Sequence, residues 1–329
     1  MGGASPVILE VKNLKTYFHT SNGTVKAVDD VSFYVREGET LGIVGESGCG
    51  KSVSCMSIVR LIETPPGKYE GGEILFLGED MLKISDARMR HIRGNDVSLI
   101  FQEPMTSLNP VFRIGDQISE ALILHQGMHK KEARRASVAI LDKVRIPNPE
   151  RVARDYPFAL SGGMRQRAMI AMALACKPKL LIADEPTTAL DVTIQYQVLA
   201  LMNEIKRELG ASIIFITHDL GVIAEMSDRV MVMYAGKVCE IAEVNTIFKQ
   251  PLHPYTRGLI HSKPDMHITD TRLTVIPGNV PDLHNIPSGC PFHPRCDQAL
   301  DCCSQSFPPC TDMGDGHSVF CWKHVKGDS

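Results

Sequence analysis

A glycine-rich run at residues 45–52 carries the most specific chemistry in the sequence. Its letters, GESGCGKS, fit the pattern G-x-x-x-x-G-K-[ST], and the run follows the apolar segment Leu41–Val44 and opens a helical pattern. Glycines in such a turn let backbone N–H groups surround a polyphosphate, and the start of a helix adds the positive end of its dipole. We expect Lys51 to reach the β- and γ-phosphates and Ser52 to bind Mg²⁺. The predicted nucleotide-contacting residues are Gly45, Glu46, Ser47, Gly48, Cys49, Gly50, Lys51, Ser52 and Val53.

A second group of chemically informative residues stands at the end of an apolar segment. Leu180–Ala183 reads as a buried strand, and two carboxylates, Asp184 and Glu185, follow it directly. At the carboxyl end of a strand, Asp184 can serve the Mg²⁺ directly or through water. We expect Glu185 to face the point where a water attacks the γ-phosphate and to orient and polarise that water. An apolar run ending in Asp-Glu is common on its own, so its significance comes from the phosphate-binding run upstream.

The elements that must position these groups alternate between strand and helix. Short apolar runs rich in β-branched residues predict buried strands, and helical periodicity predicts helices between them. This alternation predicts an α/β core with a mainly parallel sheet, preceded by antiparallel strands that turn at Ser21–Gly23. The predicted strands are Glu39–Val44, Asp96–Phe101, Lys179–Ala183 and Ser212–Thr217, and the predicted helices are Ser52–Ile62, Lys130–Val144, Gly163–Ala175 and Ile194–Leu209.

The character of the sequence changes near residue 250. Prolines and glycines become frequent, helical patterns shorten and strand patterns become few. We therefore expect residues 1–250 to form the α/β domain and residues 251–329 to form a small, loop-rich domain. Six of the ten cysteines lie in that tail, between Cys290 and Cys321. In a reducing compartment, such a group indicates metal or cluster ligation before disulfides.

The composition of the 329-residue chain is that of an ordinary globular protein, with a formal net charge of −3. A nucleic-acid partner usually requires a basic excess, so the charge balance argues against one. No apolar run approaches the roughly 20 residues needed to span a bilayer. The N-terminus lacks the charged-then-apolar pattern of a signal peptide, so we expect a cytosolic protein.

A run between the two candidate sites, LSGGMRQR at residues 160–167, makes a family resemblance specific. It resembles the LSGGQ signature of the ABC ATPases, with Met164 where glutamine is usual. Ser161 reads as the N-cap of a helix, and Gly162 and Gly163 expose N–H groups at the start of that helix. This arrangement predicts a second site for an anion.

Other positions match the motifs of this family in the expected order. Gln102 follows a predicted strand and resembles the Q-loop glutamine, Ala189–Asp191 resembles the D-loop, and His218 resembles the switch histidine. Phe18 matches the aromatic residue that stacks on adenine, with Tyr17 as the alternative. Each match is weak alone, and their common order makes coincidence negligible. The resemblance is dense from residue 7 to about residue 245.

The resemblance implies a P-loop fold of the ABC ATPase type, with a helical subdomain inserted at about residues 104–165. In this family, ATP is hydrolysed between two chains. The phosphate loop of one chain and the signature of the other, here Ser161–Gly163, grip the same γ-phosphate. This chain carries one of each motif, so the resemblance implies that it works as half of a pair.

The resemblance also implies roles for single residues. Gln102 would sense the γ-phosphate and join Ser52 and Asp184 around Mg²⁺. His218 would hold the γ-phosphate and the attacking water in register. Asp191 would connect the two sites of the pair.

Residues after the ATPase motifs narrow the resemblance to one branch. Residues 247–259, 276–281 and 289–296 resemble segments that follow the ATPase domain in oligopeptide, dipeptide and nickel importers. Residues 101–110 are typical of the same branch, and Val53-Ser54 favours its "D" ATPase over its "F" partner. The resemblance implies an ATPase bound peripherally at the cytoplasmic face of the cell's inner membrane that energises import of di- and oligopeptides. Import of nickel or another small solute is the alternative within the branch.

The implied partners are a sister ABC ATPase, two transmembrane permease subunits and an extracytoplasmic peptide-binding protein, with no nucleic acid. Two other classes fit the sequence less well. ABC ATPases that act without a permease usually carry two ATPase domains or long coiled coils. A redox or metal sensor has no need of a hydrolytic set such as Lys51, Glu185 and His218.

In some members of this branch, tail cysteines bind a [4Fe–4S] cluster. The residues that match are Cys290, Cys296, Cys303 and Cys321. Cysteine thiolates are the normal ligands of such clusters, and the spacing is unlike the C-x₂-C pattern of zinc sites. Zinc, and unmetallated thiols or disulfides, stay as alternatives. Cys302 and Cys310 are additional, so the choice between Cys302 and Cys303 is open.

Overall fold

The computed structural model describes residues 5–102, 107–188, 190–262 and 276–325. The strands are β1 (Val7–Thr20), β2 (Gly23–Arg36), β3 (Thr40–Val44), β4 (Gly67–Phe76), β5 (Glu79–Asp80), β6 (Val97–Ile100), β7 (Leu180–Asp184), β8 (Ser212–Ile216), β9 (Arg229–Tyr234), β10 (Lys237–Glu243), β11 (Thr311–Asp312) and β12 (Ser318–Val319). The helices are α1 (Lys51–Ile58), α2 (Asp86–Ile92), α3 (Ile114–Gln126), α4 (Lys130–Lys143), α5 (Pro149–Val152), α6 (Gly162–Leu174), α7 (Val192–Leu209), α8 (Leu220–Met226), α9 (Val244–Lys249) and α10 (Pro254–His261). Across the described residues, every helix is too short or too polar to cross a lipid bilayer.

The chain divides into two compact units. The first comprises residues 36–40 and 83–217 together with the N-terminal residues as far as Pro6. Strands β6, β7 and β8 of this unit are parallel and lie in the order β8-β7-β6. The central strand β7 is buried along Leu180–Ala183, which explains its unbroken apolar sequence. Helices α3, α4 and α6 pack together in this unit, and α6 also packs on β6.

The second unit comprises residues 7–35, 41–82 and 218–329. It contains an antiparallel sheet in the order β2-β1-β4-β5, which begins with the predicted hairpin of β1 and β2. It also contains β3 parallel to β9, with β10 antiparallel to β9. The tail adds two short strands beside β10. Strand β12 pairs with β10 at Val319 and Glu240, and β11 pairs with the other edge of β12 at Thr311 and Val319.

The predicted α/β architecture with a mainly parallel core and antiparallel N-terminal strands is confirmed. Each predicted core strand is present within one residue of its expected bounds. The first predicted helix, Ser52–Ile62, is wrong at its C-terminal end, since α1 ends at Ile58. Arg60 has a left-handed φ of 51°, and two prolines at 65 and 66 follow, so the helix cannot continue.

The tail is loop-rich, as predicted. Its described part, residues 276–325, holds the two-residue strands β11 and β12 and single turns of 3₁₀ helix such as His293–Arg295. Residues 263–275 lie outside the described residues. The second unit contains residues on both sides of position 250, so the predicted domain boundary stays a prediction. The predicted helical insertion at residues 104–165 corresponds to helices α3 to α5 and the start of α6.

Candidate active site and cysteine cluster

The phosphate loop connects β3 to α1 in the second unit, and its glycines are required by close backbone approaches. Gly45 has a φ of 153°, and a Cβ there would lie 2.2 Å from the carbonyl oxygen of Met233. Gly50 has a φ of 100°, and a Cβ there would lie 2.2 Å from the carbonyl oxygen of Ala27. Only glycine fits both places, so the loop keeps the shape that presents its N–H groups.

Lys51 closes this loop from within. Its side chain is almost fully buried, and its Nζ donates to the carbonyl oxygens of Gly45 at 2.8 Å and Glu46 at 3.0 Å. Helix α1 begins at Lys51 with no acidic residue in its first turn and no side-chain cap on its N-terminus. The positive end of the helix and the ammonium group therefore meet at the loop, which suits a polyphosphate.

The two aromatic candidates for stacking on adenine, Tyr17 and Phe18, lie on opposite faces of β1. Tyr17 donates a 2.6 Å hydrogen bond to Asp29, and burial together with this bond raises the pKa of its phenol. Phe18 lies on the opposite face of β1, the face of Thr16. The Thr16 hydroxyl lies 3.0 Å from that of Ser57 on α1, the helix of the phosphate loop. Phe18 is half-buried on the side of the strand that faces this helix.

The acidic strand end belongs to the first unit. Asp184 ends β7 half-buried, and Glu185 follows with a left-handed φ of 46° while its N–H donates to Ile216 at 2.9 Å. Gln102 Nε2 donates to Glu185 Oε2 at 2.9 Å, and the Thr188 hydroxyl donates to the same oxygen at 2.8 Å. The structure therefore brings two predicted residues, Gln102 and Glu185, into contact and adds Thr188.

Thr188 was missed by sequence reasoning. The available signal is its position three residues after Glu185, where a hydroxyl can reach back to the carboxylate within one turn. A carboxylate only accepts hydrogen bonds, so the Gln102 amide must present its nitrogen to Glu185 and hold its oxygen on the other side. That oxygen is the atom of Gln102 that can act as a metal ligand.

The signature and the D-loop aspartate meet at one concavity of the first unit. Ser161 caps α6 by accepting a 3.4 Å hydrogen bond from the N–H of Met164. Asp191 caps α7 by accepting a 3.0 Å bond from the N–H of Ile194. The lining residues include Ser161, Gly162, Gly163, Met164, Arg167, Leu190, Asp191 and Ile194. Ala189, the first residue of the predicted D-loop, lies outside the described residues.

Arg167 is a further residue of this concavity that sequence reasoning did not single out. Its guanidinium donates to the carbonyl oxygen of Arg145 at 2.9 Å and to Gln197 at 2.6 Å. These contacts fix a positive charge beside the exposed N-terminus of α6. An anion at the signature would therefore meet both helix N–H groups and a held cation.

The predicted ATP-site residues are divided between the two units. Phe18, the phosphate loop with Lys51 and Ser52, and His218 belong to the second unit. Gln102, Asp184, Glu185, Ser161, Gly162, Gly163 and Asp191 belong to the first unit. His218 is exposed and precedes the N-cap of α8, Asp219.

Four tail cysteines surround one small cavity of the second unit. They are Cys290, Cys296, Cys303 and Cys321. Burial, and then the neighbouring thiols of this group, raise the pKa of Cys290 to about 12. Burial and neighbouring thiols also raise the pKa of Cys296 and of Cys321. None of the ten cysteines, all of which lie among the described residues, forms a disulfide bond.

Two sulfurs of this group accept hydrogen bonds from backbone N–H groups. The N–H of Gln298 donates to Cys296 Sγ at 3.4 Å, and that of Leu300 donates to Cys303 Sγ at 3.4 Å. The N–H groups of Phe292 and Lys323 act on Cys290 and Cys321 and lower their thiol pKa values against the larger effect of burial. Such donors stabilise thiolates, the form in which cysteine binds metals.

The fold and the phosphate loop define an ATPase of the ABC class. Residues 28–188 match the ABC transporter family. Among solved structures, the chain is similar to the ATP-binding cassette MJ0796, a dimer in a post-hydrolysis state bound to ADP and Pi. The TM-score is 0.65 with 27% identity, covering 72% of this chain and 98% of that one.

The relatives and the tail define the branch. Residues 239–303 match the C-terminal region of oligopeptide/dipeptide transporters. The dipeptide transport ATP-binding protein DppD of Bacillus subtilis is 52% identical over 96% of this chain and 94% of its own length. The oligopeptide transport ATP-binding protein OppD of Salmonella typhimurium is 48% identical over 97% of this chain and 95% of its own length. The chain therefore belongs to the ABC transporter family, among its oligopeptide and dipeptide transport ATP-binding proteins.

Proposed function

We propose that this protein is the ATP-hydrolysing subunit of a membrane importer of di- and oligopeptides. The observation that carries the proposal is the pairing of two built sites in one chain. One is a glycine-shaped phosphate loop with a buried lysine, and the other is a strand-end carboxylate oriented by Gln102 and Thr188. The cargo class rests on the relatives, which are named for dipeptide and oligopeptide transport.

In this proposal, the phosphate loop binds the β- and γ-phosphates of ATP through its N–H groups and Lys51. Phe18 stacks on adenine. Mg²⁺, when bound, neutralises phosphate charge, and Ser52, Asp184 and the Gln102 oxygen are the groups that would hold it. Glu185 polarises the water that attacks the γ-phosphate, and His218 holds the γ-phosphate during the attack.

The working unit in this proposal contains two ATPase chains. Each chain has one phosphate loop and one signature concavity, so a pair forms two composite sites, with Asp191 connecting them. We propose a sister ATPase as the second chain. The pair would dock at the cytoplasmic face of the membrane on two transmembrane permease subunits, which receive peptide from an extracytoplasmic binding protein.

Glu185→Gln tests the hydrolytic part of this proposal. The amide keeps the size of the side chain but cannot serve as a base, so ATP binding should persist while kcat falls by about two orders of magnitude or more. Steady-state ATP turnover and the affinity for a fluorescent ATP analogue measure the two effects. Glu208→Gln, on the exposed face of α7, is the matched control and should turn over normally. Undiminished turnover in Glu185→Gln would refute the role of this residue.

We further propose that the tail cysteines hold a [4Fe–4S] cluster. Support comes from the four thiols around one cavity and from the N–H bonds to the sulfurs of Cys296 and Cys303. Within the described ranges, no group of three His, Cys, Asp or Glu side chains is already arranged around one metal ion, so zinc and unmetallated thiols stay alternatives to the cluster. Cys303 lines the cavity and Cys302 does not, which supports Cys303 as the fourth ligand.

Anaerobic purification followed by a visible spectrum and iron, sulfide and zinc assays tests the cluster. We expect broad visible absorption with iron and sulfide in matching amounts. Cys303→Ser should abolish this absorption, and the adjacent Cys302→Ser is the matched control that should retain it. A colourless protein with stoichiometric zinc, or with no metal, would refute the cluster and leave the ATPase assignment intact.

A further inference from the structure

A buried ion pair connects the cysteine tail to the phosphate loop. Arg295 donates from one nitrogen to Glu46 Oε2 at 2.7 Å and from the other to Glu46 Oε1 at 3.1 Å. The Arg295 side chain is only 6% exposed and that of Glu46 is 26% exposed. This two-point geometry fixes the direction as well as the position of the Glu46 carboxylate.

Arg295 is itself held on every side. Its Nε donates to the carbonyl oxygen of Pro277 at 2.8 Å, and one guanidinium nitrogen also lies 3.2 Å from the Tyr234 hydroxyl. The guanidinium also lies over the Tyr234 and Phe292 rings, 5.7 and 6.0 Å from their centroids. Arg295 sits directly before Cys296 in a turn that starts just after Cys290. The position of Arg295 is thus set by the segment that carries two of the four cavity cysteines.

Glu46 is held a second time through its main chain. Its N–H donates to the hydroxyl of Tyr255 on α10 at 2.9 Å, and its carbonyl oxygen accepts from Lys51 at 3.0 Å. Tyr255 is fully buried and packs against Tyr234 and Phe292, with ring centroids 4.7 and 5.2 Å away. The rings of Tyr234, Tyr255 and Phe292, from β9, α10 and the tail, therefore form one packed cluster that holds the hydroxyl bonded to the loop.

Strand β10 also meets the tail. The N–H of Phe320 donates to the carbonyl oxygen of Cys239 at 2.9 Å, and Glu240 pairs with Val319. The Cys239 side chain is buried, and this burial is the main cause that raises its pKa well above the usual value.

We propose that Arg295 and Tyr255 are positioning residues for ATP, through which the cysteine tail sets the shape of the phosphate loop at Glu46. This rests on the proposed binding of ATP at that loop. Glu46 is the second residue of the loop, and its carbonyl shares the Lys51 ammonium that is to meet the phosphates. Displacement of Glu46 would therefore change both the N–H cradle and the lysine position.

Arg295→Met tests the proposal, because it keeps the apolar stem of the side chain and removes its fork. We expect the affinity for a fluorescent ATP analogue to fall about tenfold, with KM for ATP rising in step and kcat changing far less. Arg295→Lys keeps the charge without the two-point geometry and should recover part of the loss. Tyr255→Phe keeps the ring, removes only the hydroxyl that holds the Glu46 N–H, and should weaken binding in the same direction.

Arg257→Met is the matched control in the same tail. Arg257 donates to Gln298 at 3.0 Å and makes no contact with the phosphate loop in the described residues. It should leave ATP affinity unchanged. The proposal is overturned if Arg295→Met and Tyr255→Phe bind ATP like the unchanged chain, or if Arg257→Met weakens binding as much as they do. An unchanged chain that binds no ATP would instead refute the proposed function.

Discussion

At the residue scale, Glu185 shows how neighbouring groups orient one carboxylate. Its backbone has a left-handed φ of 46°, which costs a non-glycine residue about 1 kcal/mol or more. The N–H bond to Ile216 holds that conformation, while Gln102 and Thr188 donate to the same carboxylate oxygen, Oε2. These donors thereby fix the orientation of the carboxylate that, in the proposed function, polarises the attacking water.

Thr188→Val isolates one of these two donors. Valine keeps the branched shape and removes the hydroxyl, so the Glu185 carboxylate loses the hydrogen bond from Thr188. Because the restraint acts on the base and not on bound ATP, we expect kcat to fall about three- to tenfold with little change in KM. Steady-state ATP turnover at varied ATP concentration measures both constants.

Thr188→Ser is the control for this prediction, since it retains the hydroxyl and should retain most of the turnover. A rise in KM without a fall in kcat would contradict the assignment, because it would place Thr188 in ATP binding. An equal loss of turnover in the serine variant would show that the methyl group matters and the hydrogen bond does not.

At the scale of elements, the parts that sequence reasoning predicts well are those encoded locally. Buried strands such as β7 and β8 appear as unbroken apolar runs because both faces are covered, and their ends follow from the adjacent polar residues. The phosphate loop is equally legible, because Gly45 and Gly50 occupy places where a Cβ would strike backbone oxygen. A position where only glycine fits can be recognised in the sequence, because the glycine is required there.

Contacts between distant elements leave no such mark. The pairing of Arg295 with Glu46 joins residues 249 positions apart, and no periodicity in either segment indicates it. The bond from the Glu46 N–H to Tyr255 is similar, since a tyrosine in a short helix of mixed polarity reads simply as core. The early end of α1 was also missed, because the left-handed turn at Arg60 uses a residue type that is common in helices.

At the scale of the whole molecule, we expect the order of the tail to depend on what its cysteines bind. Its described part has few long elements, so hydrophobic burial alone supplies little stability. A cluster or metal bound by the cysteines, called the staple below, would contribute a large share. The same tail supplies Arg295 and Phe292 beneath the phosphate loop. A staple on the cysteines would thus bear on nucleotide binding as well as on folding, through contacts that lie within one unit.

The staple predicts a dependence of stability on pH that differs between loaded and metal-free chains. In the metal-free chain, burial and the neighbouring thiols raise the pKa of Cys290 from 9.0 to about 12. An acid whose pKa is raised on folding stabilises the folded chain below the unfolded pKa, and this contribution is lost as pH rises toward the folded pKa. The metal-free chain should therefore lose stability from about pH 9 upward. Thiolates that already ligate iron have no proton to lose, so the loaded chain should lack this part of the decline.

Thermal unfolding of chelator-treated and untreated protein, each measured at several pH values from neutral to about pH 10, tests this prediction. Tyrosines and lysines titrate alike in both samples, so the difference between the two curves reports the cysteines. Cys290→Ser in the metal-free chain should reduce the alkaline decline, because serine does not ionise in this range. Parallel curves for the loaded and metal-free chains would mean that the cavity thiols are not the ligands, since ligation must change their proton count.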